Sequence, residues 1–160
     1  NINTGGGSDT VNGPVQLGDV VDLDAGNDTF AYQALAGDVR GGAGTDTLTV
    51  SAGMGGIGID LDAAFGNGVY SGFENVSGAS ADGYMGITAA SAGSVIATGS
   101  ASDELEGRGG IDNINAGAGD DDMTRRRQGS TPGWLQAAAL TASAHSAGRA
   151  ACESSLASSR

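Results

Sequence analysis

Residues 41–49 read Gly-Gly-Ala-Gly-Thr-Asp-Thr-Leu-Thr, and the same arrangement of glycine, aspartate and apolar slots recurs at nine-residue spacing elsewhere in the chain. Leu23–Phe30 keeps Gly26, Asp28 and Phe30 in those slots, and Gly5–Val11 keeps Gly5, Gly7, Asp9 and Val11. Downstream, Asp103, Asp112 and Asp121 fall nine apart, and so do Leu105, Ile114 and Met123. A period this short excludes an ordinary globular core. One turn plus one short strand cannot bury its own apolar face, so successive units must stack.

The unit has a local physical logic. Glycine tolerates positive φ and close backbone approach, so the six glycine-rich residues form a tight turn. The last three residues form a short strand whose apolar residue points inward. The expected fold is therefore all-β, a parallel β-roll or β-helix solenoid of nonapeptide repeats. Four regions follow. Residues 1–49 are a first array, with apolar slots at Ile2, Val11, Val20 or Val21, Phe30, Val39 and Leu48. Residues 50–97 are a degenerate connecting segment, in which Ile57, Ile59 and Leu61 alternate as in a strand and Gly72–Val76 is a second strand candidate. Counting back by nines from Leu105 reaches Ile96 and Ile87, so the winding is expected to run through 80–97. Residues 98–124 are a second array. Residues 125–160 are an atypical basic Ala/Ser/Arg tail, irregular or partly helical, with Leu135–Leu140 as the helix candidate. A frameshifted or artificially joined C-terminus and a genuine cap or secretion segment both remain open for this tail. Asn1-Ile2-Asn3 fits the end of a preceding repeat, since Ile2 lies nine before Val11, and the chain is expected to be a fragment of a longer protein.

Charge narrows the partners. Residues 1–124 carry 18 acids and two arginines, a formal −16, whereas residues 125–160 carry five arginines and Glu153, a formal +4. An acidic body opposes nucleic-acid binding, which needs a basic face. No apolar run approaches the roughly 20 residues of a membrane span. Cys152 stands alone, so no intramolecular disulfide can form. Oligomeric state is not legible.

Neighbouring strands stack at about 4.8 Å, and two nonapeptides make one coil. The turns 4–12, 23–31 and 41–49 therefore share one side, which stacks Asp9, Asp28 and Asp46, while 13–22 and 32–40 form a poorer side. Asp103 and Asp121 share a side in the second array, and Asp112 faces the other, as a weaker candidate. Two carboxylates about 5 Å apart repel by roughly 3 kcal/mol at an effective dielectric near 20. A cation between them removes that cost. Calcium suits the slot, since it takes six to eight oxygen ligands, including backbone carbonyls, in flexible geometry. The candidate metal set is Asp9, Asp28, Asp46, Asp103, Asp121 and Asp112, with the turn glycines Gly5, Gly7, Gly26, Gly42, Gly44, Gly117 and Gly119. Sites are expected between the 4–9 and 23–28 turns, between 23–28 and 41–46, and between 98–103 and 116–121.

At these residues the chain resembles the RTX (hemolysin-type) calcium-binding repeat proteins of bacteria. The resemblance implies calcium-driven folding of a secreted, extracellular or cell-surface structural region, such as part of an adhesin, surface-layer protein or exoprotein. It also implies export by a type I system, with contact to that machinery or to a cell surface. The alternative is the C-terminal secretion and folding module of an exoenzyme, a protease or lipase, whose catalytic domain lies outside this chain. Catalysis within the chain is not expected. The only histidine, His145, sits in the tail, and neither a H-E-x-x-H zinc motif nor a G-x-S-x-G nucleophile elbow is present. Ice binding by a Thr-rich face (Thr45, Thr47, Thr49) is disfavoured, because the second array does not repeat that ladder.

Overall fold

Short strands form wherever an apolar residue follows the acidic turn position by two. In a computed structural model, which describes residues 1–33, 37–54, 56–63, 70–125 and the backbone of 141–144, these strands pair only in parallel. The longest sheet has seven of them: β2 (Thr10–Val11), β5 (Thr29–Ala31), β8 (Thr47–Thr49), β11 (Asn75–Ser77), β13 (Val95–Ala97), β15 (Asn113–Gly117) and β17 (Thr141–Ala144). A four-stranded sheet stacks β1 (Ile2–Asn3), β3 (Val20–Asp22), β6 (Asp38–Arg40) and β10 (Tyr70–Ser71). A second stacks β9 (Ile57–Asp60), β12 (Met85–Thr88), β14 (Glu104–Gly107) and β16 (Asp122–Arg125). A two-stranded ribbon, β4 (Ala25–Gly26) on β7 (Ala43–Gly44), joins two turns. The molecule is a parallel β-solenoid, and the described residues contain no helix.

Register follows the apolar columns. Phe30, Leu48, Val76, Ile96 and Ile114 stand in line along the long sheet. Ile59, Ile87, Leu105 and Met123 line up on the second four-stranded sheet. On the first, Val21 pairs with Val39. All of these side chains are buried, so the inward residue of the Val20–Val21 pair is Val21. Burying each large apolar side chain contributes about 1.5–3 kcal/mol, and no single coil holds enough of them to stand alone.

The coil between β8 and β11 spans 28 residues, from Leu48 to Val76, against 18 from Phe30 to Leu48 and 18 from Ile96 to Ile114. It supplies β9 as the edge strand of one four-stranded sheet and β10 as the edge strand of the other. Aromatic packing anchors it. Tyr70 lies with ring centroids 5.8 Å from Phe30, 5.1 Å from Tyr32 and 6.4 Å from Phe73. Its hydroxyl donates to the Gln33 carbonyl at 2.8 Å and accepts the Gln33 N–H at 3.0 Å. Burial pushes the Tyr70 phenol up to about 12.

The tail departs from the sequence expectation at one place. Thr141–Ala144 is a strand paired with β15, the register shifting between Ile114 and Gly117. The open edge of β15 offers N–H and C=O groups that any extended segment can take up, so no repeat motif is needed there. The helix candidate Leu135–Leu140, His145 and Cys152 lie outside the described residues, as do Ala34–Ala36 of the poorer side.

Candidate metal centre

Each repeat aspartate sits at the start of a strand, two positions before the inward apolar residue. There its carboxylate meets the backbone of the neighbouring coil. Asp28 Oδ1 accepts the Asp9 N–H at 2.7 Å, and Asp46 Oδ1 accepts the Asp28 N–H at 2.8 Å. Glu74 Oε2 accepts the Asp46 N–H at 2.8 Å. Asp9, Asp28, Asp46 and Glu74 therefore form one column along the long sheet. Further along that sheet Asp112 Oδ1 accepts the Ser94 N–H at 3.1 Å. A second column runs along the opposite wall. Asp103 Oδ1 accepts the Met85 N–H at 2.8 Å, and Asp121 Oδ1 accepts the Asp103 N–H at 2.9 Å.

One oxygen of each carboxylate is thus used. Asp28, Asp46, Asp103 and Asp112 are at most 2% exposed. The Oδ2 atoms of Asp9, Asp28, Asp46 and Asp103 are buried and meet no hydrogen-bond donor. A buried carboxylate oxygen without a donor costs about 1–3 kcal/mol or more, so it calls for a proton or a cation. Burial pushes the carboxyls of Asp46, Glu74, Asp103 and Asp112 above the usual range. Like charge adds to the shift, from Asp28 on Asp46, from Asp46 on Glu74 and from Asp121 on Asp103. Asp112 differs, because the charge of Arg125 counters part of its shift.

The glycine turns pack backbone on backbone beside these carboxylates. A Cβ built on Gly26 would collide with the Gly7 carbonyl oxygen, and one on Gly44 with the Gly26 carbonyl oxygen. Gly42 packs in the same way on the Asp24 carbonyl, Gly117 on that of Gly99, and Gly119 on that of Ala101. Gly44, at φ 143°, and Gly42, at φ 112°, also need a backbone that L side chains rarely adopt. Asp24 holds the equivalent slot of its turn at φ 70°. The Gly5 carbonyl accepts the Ala25 N–H at 3.3 Å.

The oxygen-only donor set fits a hard cation of the calcium class. Among the described residues no group of three or more His, Cys, Asp or Glu side chains is arranged to hold a metal ion. A cation here would take one or two carboxylates and complete its shell with backbone oxygens of the turns. Of the residues chosen from sequence, Asp9, Asp28 and Asp46 stand together, as do Asp103 and Asp121. Asp112 stands on the wall of the first group.

Glu74 is the member that the repeat pattern does not reveal. Its signal was the two-residue offset to Val76, the same as from Asp46 to Leu48. The opposite wall carries a second unforeseen cluster. Arg108 binds both oxygens of Asp60 at 2.9 Å and Asp62 Oδ2 at 3.0 Å. No family model, curated protein or solved structure matches the chain.

Proposed function

We propose that this chain binds calcium between its stacked glycine–aspartate turns and that binding drives the solenoid to fold. The observation that carries the reading is the set of buried, donor-less Oδ2 atoms on Asp9, Asp28, Asp46 and Asp103. Without a cation these carboxylates oppose stacking, and with one they tie adjacent coils together. Asp9, Asp28 and Asp46 would hold ions on one wall, with the turns of Gly5, Gly7, Gly26, Gly42 and Gly44. Asp103 and Asp121 would hold one on the other, with Gly117 and Gly119. The glycines let the turn backbones approach closely enough for carbonyl oxygens to complete the shell.

Such a region is a structural one. It would stay loose where calcium is scarce and set into a rod where calcium is plentiful, because metal binding and folding are one equilibrium. That behaviour suits a secreted or cell-surface protein exported by the type I route that the sequence resemblance implies. At tenfold excess over Kd each site adds about 1.4 kcal/mol.

Circular dichroism during a calcium titration, reversed with EGTA, tests the reading. A gain of β signal with added calcium, lost on chelation, is the expected result. No gain up to about 10 mM, beyond the range of extracellular calcium modules, would refute it.

A further inference from the structure

We infer that a further divalent-cation site lies at the junction between the 41–46 turn and the long coil, held by Asp46 and Glu74 with the Gly72 carbonyl beside them. The site falls outside the nine-residue repeat, and the inference rests on the calcium reading above. Asp46 is 0% exposed, and its Oδ2 meets no donor. That atom and the Gly72 carbonyl oxygen both crowd the place where Gly41 would carry a Cβ, the former 2.7 Å from it. The absence of a side chain on Gly41 lets these two oxygens converge beside its Cα. Glu74 follows Asp46 in the same column. Its Oε2 is held by the Asp46 N–H at 2.8 Å, which fixes the carboxylate against Asp46.

The two carboxylates stand in succession along the column, each tied to the coil before it by a backbone N–H. All donors are oxygens, so the ion is a hard divalent one of the calcium class. The consequence is structural. The long coil, which breaks the repeat, is stitched to the first array by the same chemistry that links repeats to each other. Calcium then couples the first array to the coil that launches the second.

Glu74→Gln removes the charge and keeps an oxygen to accept the Asp46 N–H. Counting bound calcium by equilibrium dialysis, the variant should hold one ion fewer per chain than the wild type while still gaining β signal with calcium. An unchanged count at unchanged affinity overturns this site and leaves the general reading standing. A wild-type chain that binds no calcium overturns both. Crystals of the wild-type chain grown with terbium decide the matter without any variant. An anomalous peak between Asp46 and Glu74 supports the site, and peaks confined to the Asp9–Asp28 and Asp28–Asp46 steps overturn it.

Discussion

The repeat aspartate has two separable tasks. One oxygen accepts an N–H from the neighbouring coil, as in the 2.7 Å bond from Asp9 to Asp28, and the other, buried without a donor on Asp9, Asp28, Asp46 and Asp103, would meet the proposed ion. The first needs only an acceptor and the second needs charge. Position along the column therefore decides how much an aspartate matters. Asp28 lies between Asp9 and Asp46 and borders two proposed sites. Asp112 sits under Ser94, which has no carboxylate, and its charge is countered by Arg125. In calcium titrations followed by circular dichroism, Asp28→Ala should raise the calcium midpoint more than Asp112→Ala, losing two site contributions of about 1.4 kcal/mol each at tenfold excess. Equal shifts would undo the assignment of these residues to their columns. The aspartate slots were readable because an acid two positions before an apolar residue repeats in register. Glu74 carried the same offset but lacked the glycine turn, so pattern matching passed over it.

Among the strands, charge pairing stands beside the aspartate column on the second wall. Asp60 ends β9, Arg108 follows β14, and β12 lies between them. The guanidinium reaches across it, gripping both oxygens of Asp60 and one of Asp62. The three side chains are 22%, 45% and 33% exposed, respectively, for Arg108, Asp60 and Asp62. Water and salt therefore screen the cluster, and its worth is about 1 kcal/mol or less. Arg108→Ala should lower the melting temperature slightly in calcium, less so in 1 M salt, with the number of bound calcium ions unchanged. A change in that number would place Asp60 and Asp62 among the metal ligands. This cluster was hidden in the sequence, because residues 46 and 48 apart meet only through the coil geometry. The strand alternation of Ile57, Ile59 and Leu61 was readable, since period two is a local property.

Across the whole molecule, an acidic body closes on its own carboxylates. Burial raises the carboxyls of Asp46, Glu74, Asp103 and Asp112 above their ordinary values of 3.8 for Asp and 4.5 for Glu. A group with a raised folded-state pKa binds its proton more tightly folded than unfolded. Without calcium, stability from these groups is therefore present at low pH and is lost as pH rises through the raised values. Acid should substitute for the ion. Thermal melts in EGTA should show the transition temperature rising as pH falls from 7 toward 4, while in calcium the benefit of the ion should shrink over the same range, since protons compete with metal. A transition in EGTA that falls steadily over that range would contradict the raised carboxyls. The sequence alone determined the turn chemistry, the inward residues and the stacking partners within each array, because glycine φ, side-chain burial and a constant coil length are local or periodic matters. Only the tertiary structure decided how the two arrays join. Nine-residue counting fails across a 28-residue coil, and the register there depends on where Tyr70 and Phe73 pack and on which backbone N–H the Glu74 carboxylate meets. Asp112 stands on the wall of Asp28, and Thr141–Ala144 becomes the last strand of the long sheet by pairing with β15, because burial and backbone pairing, unlike turn motifs, are satisfied between distant segments.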